Sequence, residues 1–222
     1  MKTPMIKTMT VSLVAASFAF SANVFAKDEN KPVGISADIM SVEVINHGKK
    51  ASITRNQNNK NMIKQDFAKT SRPCPPFCIQ PMVLAPGVET IAELEVMDYL
   101  SKMANGDDTI LVIDSRTPDW TKKGTIPGSI NIPWTKLNAS KADPISIGDI
   151  MVEKFNVTGD DDDRDFSKAK TLVMFCNGMW CGQSPNNIKS LLKMGYPANK
   201  IKWYRGGMQD WEVLGLSTVS GK

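Results

Sequence analysis

The chain has 222 residues, 41% hydrophobic and 23% charged, an ordinary globular composition with room for one domain and an appendage. Its formal net charge of +4 is slight and scattered, which argues against a nucleic-acid partner. One histidine and four cysteines exclude a multi-histidine metal centre and make the thiols the natural carriers of any chemistry.

Residues 1–26 read as an export signal. Lys2 and Lys7 give a basic start, Met9–Phe20 an apolar run, and Val24-Phe25-Ala26 ends on small residues at −3 and −1. Cleavage after Ala26 predicts an exported protein in a bacterial periplasm, where thiols tend to be oxidised. The apolar run is too short and too interrupted by serine to be a good membrane span, and no other stretch qualifies.

Residues 27–86 read as an extension. Ser41–Asn46 and Lys50–Arg55 alternate as strands do, with His47-Gly48 as the turn between them, so a β-hairpin is expected. Two strands alone are marginal, so the hairpin must lean on something else. His47 reads as a solvated turn residue. Pro73, Pro75, Pro76, Pro81 and Pro86 then frame Cys74 and Cys78 in what reads as a stiff, extended connector.

From residue 87 to 219 the pattern changes to alternating helices and strands. Ile91, Leu94, Met97, Leu100 and Met103 recur at helical spacing up to Asn105-Gly106, a stop signal. Thr109–Asp114, Thr171–Phe175 and Ile201–Tyr204 read as strands, the first two apolar enough to be buried on both faces, and Ile126–Pro133 reads as a turn followed by another short strand. Ile147–Phe155, Ser184–Met194 and Met208–Leu214 read as helices, with Ser184 as N-cap and Pro185 at the first helical position. The expected fold class is α/β: a parallel sheet with helices on both faces, preceded by the small hairpin.

The segment from Phe175 to Pro185 joins a buried strand to a helix, at the carboxyl end of the sheet where open α/β folds bind ligands. Cys176 at the strand end would be surrounded by backbone N–H groups and the positive end of a helix. Both lower a thiol pKa from about 8.5 into a range of roughly 3.5–7.5. Gly178 and Gly182 would give the loop the tight or left-handed backbone such a cradle needs.

At these residues the sequence resembles the rhodanese-like sulfurtransferases, over roughly residues 87–219. The resemblance is carried, in order, by Leu111-Val-Ile-Asp-Ser-Arg116, Gly124-Thr-Ile-Pro-Gly-Ser-Ile-Asn-Ile-Pro133, Thr171–Ser184 with Cys176, and Tyr204-Arg-Gly-Gly-Met-Gln-Asp-Trp211. It implies a Cys176 nucleophile that takes a sulfane sulfur from a small donor such as thiosulfate or a persulfide. The sulfur then passes to a thiol acceptor, small or carried on a protein. It further implies a cradle of Asn177, Gly178, Met179, Trp180, Cys181 and Gly182 around the persulfide, Gln183 and Ser184 at the pocket or helix start, and Asp114 and Arg116 in support. The covalent persulfide serves as the intermediate, and no cofactor or metal is expected.

Two departures from the family pattern stand out. Ser184 lies eight residues after Cys176, so the loop is about two residues longer than is usual in the family, and Gln183 stands where an anion-binding Arg or Thr is common. A doubly charged donor is then held less well. Thr125 replaces a frequent histidine. The related phosphatases and arsenate reductases need Cys-x5-Arg, but Gly182 occupies that sixth position, which argues against a phosphate clamp.

The other thiols stay open at this stage. Cys181 could close a disulfide with Cys176 as a resolving thiol or stand as a pocket wall; Cys74-Pro-Pro-Phe-Cys78 could form a local disulfide or lie free over the site. A four-thiolate metal site has the wrong spacings, and the acidic run Asp160–Asp163 with Asp165 lacks the glycine and glutamate of a calcium loop. Met179 and Trp180 are expected at the pocket mouth, and Trp203, Tyr204 and Trp211 in the core. A periplasmic thiol–disulfide protein and a non-enzymatic binding module on the same fold are the alternative functions.

Overall fold

A computed structural model describes residues 31–159 and 163–221; the expected export signal and Asp160–Asp162 lie outside them. The hairpin forms as expected, β1 (Ser41–Asn46) pairing antiparallel with β2 (Lys49–Thr54) around His47 and Gly48, both at positive φ. A single turn of helix, α1 (Gln65–Ala68), follows and buries Phe67.

The body is a five-stranded sheet in the order β3-β7-β6-β4-β5, every pair parallel. Its strands are β3 (Glu89–Ile91), β4 (Ile110–Asp114), β5 (Ile130–Asn131), β6 (Thr171–Phe175) and β7 (Ile201–Tyr204). The helices between and after them are α2 (Glu93–Ala104), α3 (Pro118–Lys123), α4 (Pro144–Glu153), α5 (Gln183–Lys193) and α6 (Gly207–Val213). Parallel strands need crossover connections, and helices fill them. The α/β class read from the sequence therefore holds.

Side chains alternate along each strand, so the sheet builds two cores. Val112, Val173, Phe175 and Tyr204 pack with Val96, Met97 and Leu100 of α2 and Met208 and Trp211 of α6. Ile113, Leu172, Met174 and Trp203 pack with Ile147 and Met151 of α4 and Ile188 and Leu191 of α5 on the other face. The hairpin finds the support it needs on the first face, where Val44 and Ile53 are fully buried among these side chains. Asn46 Oδ1 accepts from the Gly128 amide at 3.1 Å, and Thr54 and Ser217 are joined by main-chain and side-chain hydrogen bonds. The described residues from Pro32 onward thus form one compact unit, with Val44 and Ile53 of the hairpin in its core.

Three expectations are corrected. Ile91 belongs to the short strand β3 rather than to the following helix, and Leu94 faces outward while Val96, Met97 and Leu100 make the buried stripe of α2. The helix α3, begun by Pro118, was not read from the sequence. The connector is not extended throughout: it doubles back where Phe77 N donates to Pro73 O at 3.0 Å, and Cys74 and Cys78 are joined there by a disulfide. With those two sulfurs bonded to each other, four thiolates are not available for a metal.

Trp203, Tyr204 and Trp211 are core residues, as expected. No helix among the described residues is long and apolar enough to cross a membrane.

Candidate active site

Strand β6 delivers Cys176 to the carboxyl end of the sheet, where α6 fixes the backbone around it. Met208 N donates to Cys176 O and Gln209 N to Asn177 O, each at 2.9 Å. This close approach requires glycine at position 207. Its φ of 56° is left-handed, and a Cβ would run into Cys176 O.

The Cys176 sulfur faces a set of donors. Ser184 Oγ lies 3.2 Å from Cys176 Sγ and also 3.2 Å from Trp203 Nε1. An indole N–H can only donate, so the serine oxygen accepts from Trp203 and its own hydrogen points to the sulfur. Burial acts first on Cys176 and pushes its thiol up. The Cys181 thiol, the Ser184 hydroxyl and the backbone N–H groups of Ser184 and Gly178 outweigh it and bring the group down to about 7. Cys181 goes the other way, well above the ordinary thiol range, through burial and then through donating its hydrogen to Cys176 and facing its charge. Both are free thiols, each 3% exposed. At neutral pH Cys176 is therefore about half ionised while Cys181 keeps its proton.

The cradle differs in detail from the expectation. Cys181 N–H is spent on Gly178 O at 2.9 Å and does not face the sulfur. Gly182, at φ −92° and ψ 2° with open space where a Cβ would go, needs no glycine conformation. At Gly178 the need is for room, since a Cβ would stand 3.0 Å from Gln209 Oε1 and 3.2 Å from Trp180 Nε1. Ser184 is not the N-cap: α5 begins at Gln183, after Gly182 in the cap position, and the serine side chain serves the sulfur instead.

Asp114 and Arg116 are brought to the site as a buried pair. Arg116 Nη2 meets Asp114 Oδ2 at 2.6 Å and Gly124 O at 2.6 Å, and Nε reaches Asp114 Oδ1 at 2.9 Å. Thr125 Oγ1 donates to the same carboxylate at 2.7 Å. The free arm of the guanidinium, Nη1, reaches Asn177 Oδ1 at 3.4 Å, which ties the pair to the loop beside Cys176. The two residues act on the site by positioning.

A cleft of about 390 Å³ opens over the loop, lined by Asn177, Trp180, Cys181, Gly182 and Gln183. Cys176 itself is buried and is not among the lining residues, although its neighbour Asn177 is. The opposite walls come from parts of the chain that the sequence reading did not connect with the site: Trp120, Trp134, and Arg72, Pro76 and Phe77 of the extension. Phe77 meets Trp180 edge-on at 5.7 Å between ring centres, and the Arg72 guanidinium carbon stands 3.7 Å over the Trp180 ring. Trp180 in turn donates to Gln209 Oε1 at 2.6 Å, and Gln80 N donates to Met179 O at 2.8 Å, pinning connector and loop together. Met179 faces a neighbouring hollow with Ile79 and Val213. No local signal marks Arg72 or Trp134, because their role depends on contacts between distant segments.

A parallel α/β sheet that presents a low-pKa cysteine, held by backbone and hydroxyl donors at a strand end, defines a class of thiol-bearing domains. The match of residues 96–213 to the rhodanese-like domain model places the chain within it, and the protein belongs to the rhodanese-like family. A search of curated protein sequences gives no match. Similar solved structures include a thiosulfate sulfurtransferase from Pseudomonas aeruginosa (20% identity, TM-score 0.41, 61% of this chain and 21% of that one). The human single-domain sulfurtransferase TSTD1 is another (19%, TM-score 0.37, 56% and 95%). A rhodanese-related protein from Thermoplasma volcanium is a third (21%, TM-score 0.36, 59% and 97%).

Proposed function

We propose that the protein is a sulfurtransferase that carries a sulfane sulfur as a persulfide on Cys176. The observation that carries this reading is the donor set on the Cys176 sulfur, which brings the thiol down to about 7 without a histidine or lysine beside it. A thiolate so held is both a nucleophile at neutral pH and the template for a persulfide anion of the same charge. In the first step the thiolate attacks the outer sulfur of the donor, the donor's sulfur–sulfur bond breaks, and its electron pair leaves with the remaining fragment. In the second step an acceptor thiolate attacks the terminal sulfur of Cys176–S–S⁻. The acceptor departs as a persulfide and the Cys176 thiolate is restored. No proton, metal or cofactor is consumed.

Cys181 serves as a hydrogen-bond donor in this scheme. Its raised pKa keeps it protonated and disfavours its attack on the neighbouring sulfur, which would end in a disulfide. The export signal read in residues 1–26 supports a periplasmic setting, in which Cys74–Cys78 is the structural disulfide and the two buried thiols stay reduced.

Mass spectrometry of the wild-type protein and of Cys176→Ser after treatment with a sulfane-sulfur donor tests the proposal. A gain of one sulfur atom on Cys176, and loss of all transfer in the serine variant, are expected. Loss of two hydrogens with formation of a Cys176–Cys181 bond would identify a thiol–disulfide protein instead. Full turnover by Cys176→Ser would remove Cys176 from the chemistry.

A further inference from the structure

The active-site loop lacks an arginine, yet a guanidinium stands in the cleft. It belongs to Arg72, more than a hundred residues before Cys176 in the sequence, and the extension carries it there. Arg72 is the one charged side chain among the described residues lining the cleft. Its guanidinium lies over Trp180, and Nη2 makes a long hydrogen bond of 3.4 Å to Asp66 O. Its Nε is buried and has no hydrogen-bond partner. That Nε is closed off from the cleft, so an anion bound there would pair with the Nη side of the same guanidinium.

Around the arginine the cleft carries four aromatic side chains, Trp120, Trp134, Trp180 and Phe77, beside the amides of Asn177, Gln183 and Asn186. A volume of 390 Å³ holds about thirteen waters at ~30 Å³ each, several times what inorganic thiosulfate fills. Thiosulfate has no apolar surface to set against the four rings, whereas a donor with an apolar body gains from burying it there.

We propose that Arg72 and the tryptophan-walled cleft form the donor-binding site, and that the donor is an organic sulfane-sulfur anion with an apolar body rather than inorganic thiosulfate. The site rests on the sulfurtransferase reading for its chemistry and on the cleft alone for its binding. With a thiosulfonate, the Cys176 thiolate attacks the outer sulfur and the bond from that sulfur to the sulfonyl sulfur breaks. The electron pair leaves on the sulfinate, whose charge falls to Arg72. Atoms and charge balance without an added oxidant, reductant or proton.

Binding is read apart from chemistry on the Cys176→Ser protein, by calorimetry with benzenethiosulfonate and with thiosulfate as probes. The aromatic probe is expected to bind at least about tenfold tighter than thiosulfate, the effect of one well-buried apolar group. Arg72→Met, which keeps an unbranched apolar side chain and removes the charge, is expected to weaken it about tenfold to a hundredfold, with partial recovery in Arg72→Lys. Trp134→Ala is expected to weaken the aromatic probe and leave thiosulfate nearly unchanged, and circular dichroism checks that each variant is folded. Equal binding in Arg72→Met, or thiosulfate bound as tightly as the aromatic probe, overturns the proposal even if wild-type Cys176 gains sulfur. Arg72-dependent binding with no sulfur gained by wild-type Cys176 upholds the site and overturns the transfer reading.

Discussion

Replacing Cys181 by alanine removes one donor from the Cys176 sulfur and little else, since only a thiol is deleted from the cleft wall. Burial, which pushes the Cys176 thiol up, then meets fewer opposing hydrogen bonds. A hydrogen bond to a charged group is worth about 1.5–3 kcal/mol and one pKa unit is 1.36 kcal/mol, so a rise of about one to two units is expected. The titration midpoint moves from about 7 toward the ordinary thiol value of about 8.5. Because the reactive form is the deprotonated one, reactivity rises with pH in both proteins, and the variant's curve is displaced to higher pH. At neutral pH the thiolate fraction falls from about a half to below about a tenth, slowing alkylation about five- to fiftyfold, while above about pH 10 the two proteins converge. Iodoacetamide alkylation followed by mass spectrometry across pH measures this directly, because Cys176 is then the one free thiol. Restricted access of the reagent to Cys176 slows the reaction at every pH alike and does not displace the midpoint. Cys181→Ser, which keeps a hydroxyl donor, should shift less. A midpoint that stays at about 7 in Cys181→Ala, or moves lower, would refute the assignment of Cys181 as donor.

Further substitutions test the rest of the construction. Ser184→Ala takes away the hydroxyl aimed at the sulfur and leaves Trp203 Nε1 without its acceptor; a Cys176 midpoint about one unit higher and a stability loss of about 1–3 kcal/mol in urea are expected, with Ser184→Thr close to wild type. Asp114→Ala strands the Arg116 charge in the interior and should cost about 3–5 kcal/mol in the same assay, whereas a loss below about 1 kcal/mol would show that the pair is dispensable. Gly207→Ala forces a side chain into a left-handed position against Cys176 O; at least about 1–2 kcal/mol of destabilisation and an upward shift of the Cys176 midpoint should appear together. A destabilised protein with an unchanged midpoint would separate Gly207 from the geometry of the sulfur site.

Much of the fold was legible because its signals are local. Thr171–Phe175 and Ile201–Tyr204 are short runs rich in apolar and β-favouring residues, and they occur as strands with those bounds. The hairpin turn at His47-Gly48 follows from the tolerance of those positions for positive φ. The strand β3 was misread because its Ile91 falls in step with the helical periodicity that follows, and three residues are too few to set a period of their own. Ser184-Pro185 looks like a helix start in isolation. The cap fails to form because the Ser184 hydroxyl has partners across the fold, the Cys176 sulfur and the Trp203 indole, that no local pattern encodes.

The sequence by itself directed any chemistry to the thiols: one histidine, four cysteines, and a cysteine at the end of an apolar strand before a helix leave few other candidates. It also carried the family, through four ordered motifs in the second half of the chain. Tertiary structure decided how the thiols divide their work. Two of them close a disulfide in the extension, one titrates at about 7, and its neighbour is held protonated. It also decided where the cleft's charge comes from, since Arg72 meets Trp180 only after the extension has folded over the sheet. The physical reason is the same in both cases. A strand or a turn is set by neighbours along the chain, whereas a pKa or a binding cleft is set by burial and by donors that distant segments bring within about 3–4 Å.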